Sequence, residues 1–208
     1  MNMISELRTG LITASEGSIN PARADNSGAA VVTDAHGRLY EASRRGNLFV
    51  ATAIVTAPVI YTTAAGTGGP LLWNGTQNKL LSILKVGVGL SVVTTVAAAF
   101  GLTGNTGQSS APTSTTAIDS TGNLLIGGAD SGAKAYRVGT PTNAGKFLMP
   151  LGHFHTGALT VDNIGMVWFD IDGAMSVLPD SWCSIAASAT ASTTVANMCI
   201  IWEEIPLV

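Results

Sequence analysis

Val86, Val88, Leu90 and Val92 alternate with Lys85, Gly87, Gly89 and Ser91, and Val161, Val167, Phe169 and Ile171 alternate with Asp162, Met166, Trp168 and Asp170. A period of two puts each set on its own face of a β-strand. Gly87 and Gly89, sharing one face, signal close approach by another backbone or side chain. The same texture, in segments of about 5–10 residues bounded by Gly, Asn, Asp, Ser and Pro, predicts strands over 48–61 (broken by Pro58), 71–73, 79–95, 124–127, 133–138 and 147–155. Residues 182–187 and 195–205 read as a last hairpin turning through 188–194, and 101–116 as a Gly/Ser/Thr-rich loop. Asn74-Gly75-Thr76 fits a glycosylation pattern but reads more simply as a tight turn.

Residues 1–47 differ: polar, with turn signals at Asn20-Pro21, Asn26-Ser27-Gly28 and His36-Gly37, and little periodicity. They read as an extended arm that builds no core alone; Gly10 and Thr13 leave a short helix over 4–12 marginal. The expectation is an all-β protein: a jelly-roll-like β-sandwich over 48–208 preceded by the arm. The rival is a helical membrane span over 80–102, interrupted only by Lys85. Its density in Val, Thr and Gly and its lack of flanking basic clusters favour strands.

Composition sharpens this picture. Between Arg45 and Asp119 the only charged residues are Lys79 and Lys85, and 11% of the chain is charged against about 25% in ordinary soluble domains. Such a surface calls for cover by other chains or by a membrane. With 10 Lys+Arg against 13 Asp+Glu and a net charge of −3, neither nucleic acid nor an anionic membrane is an electrostatic partner. The first 21 residues, broken by Glu6, Arg8 and Glu16, do not form an export signal. Cys183 and Cys199 lack C-x-x-C spacing and read as reduced, buried thiols; the predicted hairpin would set them opposite each other about Ala191.

Candidate chemistry is sparse. His153 and His155 would share a strand face, with Asp162 or symmetry copies as further ligands, but two ligands do not make a metal site. Asp170 and Asp172 would share a face without the remaining ligands of a calcium loop. No G-x-S-x-G, P-loop or H-E-x-x-H is present, Gly145-Lys146 is followed by Phe147, and Glu203 and Glu204 face opposite sides of a strand. The reading is non-enzymatic, without cofactor or metal. The densest charge lies in the arm, where Arg23, Arg38, Tyr40, Glu41, Arg44 and Arg45 form a candidate docking segment for a partner or a neighbouring subunit. Planar guanidinium groups and a Tyr ring suit interface anchoring.

Gly37-Arg38-Leu39-Tyr40-Glu41, Arg45-Gly46-Asn47-Leu48-Phe49 and the closing Ile201-Trp202-Glu203-Glu204-Ile205-Pro206, set among Gly/Thr/Ala-rich strands, resemble small β-sandwich structural proteins of tailed bacteriophages. The likeness is to the cement or decoration proteins of the head exterior. It implies a homo-oligomer, commonly a trimer, made in the host cytoplasm, that binds the outer capsid surface and bridges major capsid protein subunits. A head-fibre, tail-associated or receptor-binding protein, contacting a host through 101–116, is the alternative; a small phage membrane protein spanning through 80–102 is the second.

Overall fold

The computed structural model describes residues 39–56, 67–92, 98–117, 121–154, 164–188 and 195–207. The chain divides into two units, Met1–Tyr40 and Glu41–Val208. A short helix α1 (Tyr40–Arg44) precedes eleven strands: β1 (Leu48–Thr56), β2 (Thr67–Asn74), β3 (Lys79–Val92), β4 (Ala98–Thr106), β5 (Thr113–Ala117), β6 (Thr121–Asn123), β7 (Lys134–Thr140), β8 (Lys146–Phe154), β9 (Ile164–Val177), β10 (Ser181–Ala187) and β11 (Val195–Pro206). The helix 4–12, Pro58, His155, Val161, Asp162 and the turn about Ala191 lie outside the described residues.

Two antiparallel sheets form a sandwich, one ordered β6-β1-β11-β3-β9 and the other β5-β7-β2-β10-β4-β8. Among the described residues, no strand pairs with its neighbour in sequence. With β5 to β7 set aside as an insertion, the chain crosses between β1-β11-β3-β9 and β2-β10-β4-β8 in the eight-strand wiring of a jelly roll. The insertion then extends both sheets on the same side, β6 beside β1 and β7 beside β2.

Strand phase follows the hydrophobic pattern. In β3, Leu81 and Ile83 face the core, then Val86, Val88 and Leu90. The phase changes at Leu84, where the ladders to both β11 and β9 shift register. One extra residue in a β-bulge lets both halves of the strand keep their apolar side inward. Trp202 of β11 is fully buried and stacks on Phe49 of β1, with ring centroids 5.9 Å apart. Gly87 and Gly89 allow the close approach their alternation predicts: a Cβ on Gly87 would lie 3.1 Å from the Trp168 ring, and one on Gly89 3.2 Å from the Met166 Cα.

A second apolar cluster, Leu71, Trp73, Tyr136 and Trp182, lies apart from the main core. These side chains sit on the outer face of the six-stranded sheet, since their neighbours Leu72, Ala135 and Cys183 face inward. The turn after β2 is a corner between sheets. Asn74, fully buried, donates from Nδ2 to the Lys79 and Val177 carbonyls, while its Oδ1 accepts from Thr76 N and Oγ1.

Several local expectations are corrected. Residues 101–116 do not form one long loop: they are largely β4 and β5, joined by 107–112. Residues 124–127 are a turn and not a strand. β10 and β11 belong to different sheets, so they form no hairpin, and Cys183 and Cys199, both buried and free, stand in separate sheets rather than opposite each other. The jelly-roll wiring sends β10 and β11 to opposite sheets, whereas a local reading pairs them. The described part of 80–102 is strand. No described helix is long and apolar enough to cross a membrane.

Candidate functional site

Of the docking residues expected from sequence, Arg23 and Arg38 lie outside the described residues. Tyr40, Glu41 and Arg44 fall on α1, and Arg45 follows it; this part of the arm is helical, not extended. The helix ends because Gly46, at φ +70°, takes the left-handed conformation. Gly46 N donates to Ser43 O and Asn47 N to Ala42 O, the paired bonds of a Schellman cap. Tyr40, Arg44 and Arg45 are solvent-exposed.

The cap is tied to the β6–β7 connection. Asn123 Nδ2 donates to Gly46 O at 2.9 Å and to Ala129 O at 2.8 Å, and its Oδ1 accepts from Leu125 N. Leu124 N donates to Leu48 O and Gly128 N to Leu125 O. With Gly127 at φ +89° and Ile126 at negative φ, residues 125–128 form a type II turn. Its tip is apolar yet exposed: Ile126 is 98% accessible, and Leu124 and Leu125 are each 40%.

A buried carboxylate holds the far end of this connection. Glu204, on the inward side of β11 and 2% exposed, pairs through Oε2 with Lys79 Nζ; Oε1 accepts from Ser131 Oγ, Gly132 N and Ala133 N. Burial pushes its carboxyl up, but the Lys79 and Ser131 bonds, the Ala133 amide and the Lys79 charge together hold it below the ordinary value. A buried anion is tolerated here because its lone pairs are satisfied and a cation adjoins it.

Across the sandwich, the end strands β8 and β9 flank a cleft of about 230 Å³ whose lining includes Leu148, Met175, Leu178 and Trp182, with Lys146 and Asn105. Other apolar side chains are exposed on the five-stranded sheet, among them Ile54 at 59% and Trp168 at 48%. Lys85 pairs with Asp170 at 2.8 Å beside Trp168.

The remaining sequence candidates do not converge. His153 lies on β8 opposite Ala99. Asp170 and Asp172 do not share a regular strand face, because β9 bulges between Asp170 and Met175 with Asp172 at φ +54° and Gly173 at φ +79°. Among the described residues, no three His, Cys, Asp or Glu side chains gather as metal ligands would. Burial pushes the Cys183 thiol up to about 12 and raises Cys199 against a bond from Thr52 Oγ1. Both thiols are therefore protonated and unreactive at neutral pH.

The described residues thus present an exposed apolar tip and a cleft lined in part by Leu148, Met175 and Leu178. The apolar tip and Glu204 escape a local reading; the signal for the first is Asn123, an apolar triplet and Gly127-Gly128 in succession, a turn written around hydrophobic residues. Comparisons with protein families, with characterised proteins and with solved structures give no match to this chain.

Proposed function

We propose that this protein is a non-enzymatic structural protein of a bacteriophage virion, a cement or decoration protein that binds the outer face of the head and links major capsid protein subunits. The observation that carries the reading is a hydrogen-bonded jelly roll presenting apolar side chains, Ile126 above all, on a chain that is only 11% charged. Contiguous exposed apolar groups mark interaction surfaces. The protein acts as a homo-oligomer, a trimer by the likeness of its sequence to such proteins. Arg44, Arg45 and Tyr40, with Glu41, Arg23 and Arg38, supply the polar docking contacts to the capsid or a neighbouring subunit.

Many copies make weak contacts effective. An oligomer engaging the lattice at several points gains avidity, and binding only the assembled shell stabilises that shell by mass action. The head-fibre or receptor-binding alternative places host contact on 101–116 as a loop; most of that segment is sheet, and Gln108 within it is buried.

Copy number tests the proposal. In gradient-purified particles from the producing cells, a ratio to the major shell protein near one, or one trimer per local threefold position, is expected. A handful of copies per particle would move the reading to a fibre or connector, and absence from every particle would end it.

A further inference from the structure

The apolar tip and the cleft stand at opposite edges of one sheet. β6, which leads into the tip, is the first strand of the five-stranded sheet, and β9, which borders the cleft, is the last. Four interstrand steps separate them, about 19 Å. They also stand at the same end of the strands. Leu124 N bonds Leu48 O, and a single cross-strand row runs Leu48–Glu203–Ser82–Ser176, ending on a residue of the cleft wall.

Their chemistry is complementary. The tip offers Leu124, Leu125 and Ile126, with exposed Asp130 a few residues on. The cleft offers Leu148 and Leu178, 54% and 53% exposed, together with Met175, and Lys146 stands among its lining residues. The tip's hydrogen bonds hold it in its exposed form, so little ordering cost remains to be met on docking.

We infer that the Leu124–Ile126 tip of one copy seats in the Leu148–Met175–Leu178 cleft of the next, with Asp130 facing Lys146, joining copies of this chain head to tail. Different patches meet in this contact, so it is heterologous and generates a ring where its rotation closes. Because tip and cleft share one end of the sandwich, the joined copies stand side by side. The inference rests on the homo-oligomer part of the proposed function and is independent of the capsid.

The test uses the full chain. Native mass spectrometry should give a multiple of 21.2 kDa, and Ile126→Asp or Leu178→Asp should weaken self-association by about 10- to 100-fold, the loss of one buried aliphatic anchor, with an unchanged β-sheet circular dichroism spectrum. Mixing Ile126→Cys with Leu178→Cys should give an intermolecular disulfide that neither variant forms alone; the native thiols are buried. Lys146→Asp should weaken association and Asp130→Lys should restore it in the same chain. An oligomer indifferent to both Asp variants would sink this contact and leave the homo-oligomer standing. A wild-type monomer at every concentration would sink both. Loss of particle binding by Ile126→Asp in a protein that remains monomeric throughout would give the tip a different occupant and overturn the inference.

Discussion

Two short connections at one end of the sandwich invert the usual relation between polarity and exposure. The 107–112 segment is Gly-Gln-Ser-Ser-Ala-Pro, yet Gln108 within it is 1% exposed. Its Oε1 accepts from Thr142 N and Oγ1, its Nε2 donates to Ser110 O, and its own carbonyl accepts from Trp73 Nε1. The 124–131 segment begins Leu-Leu-Ile, yet Ile126 stands almost wholly in solvent. Hydrogen bonding separates them. The polar loop finds partners for its amide and backbone beside Trp73 and can be buried without penalty, whereas the apolar loop is held outward by Asn123 and Glu204. A side chain goes inside when its polar atoms are satisfied there, and an apolar one stays outside when the backbone carrying it is fixed.

The largest expected effect comes from cutting the anchor of the apolar loop. Glu204→Ala removes the acceptor of Ser131, Gly132 and Ala133 and should cost about 2–4 kcal/mol in chemical denaturation, at the lower end because Lys79 reaches solvent. Hydrogen exchange should quicken over 124–133 while 107–112 is unchanged. Quickening of both segments alike would dissolve the contrast.

Acid acts through the same group. The folded Glu204 carboxyl lies below its ordinary 4.5, so its contribution is fully present above that value and fades as pH falls through the folded one. Wild-type stability should therefore drop on acidification below about pH 4.5, and Glu204→Gln should lose this component of the slope.

Gln108→Ala leaves the Thr142 amide and hydroxyl without their acceptor and should cost about 1–3 kcal/mol, read by denaturation together with a rise in Trp accessibility to a quencher. The smallest effect on folding falls at the most exposed position. Ile126→Ser should change monomer stability by no more than about 0.5 kcal/mol, measured at concentrations too low for association. A larger loss would mean that the tip packs internally.

Much of the sandwich could be read along the chain because its strands carry their burial in their own letters. The run from Val86 to Leu90, the alternation through Phe169 and Ile171 and the spacing of β11 each specify which face turns inward, since a strand projects successive side chains to opposite sides. The sequence did not disclose which strands pair, because among the described residues every ladder joins strands that are not neighbours in the chain, and no local pattern encodes a partner far away. That wiring moved Cys183 and Cys199 into different sheets and turned Asn74-Gly75 into a corner between them. It also brought Glu204, near the end of the chain, onto Lys79 and Ser131, which makes a buried carboxylate tolerable through partners far from it in sequence. Periodicity, a property of neighbours, determined the strands and their faces; pairing and the satisfaction of buried polar groups, properties of distant residues, were decided only by the tertiary structure.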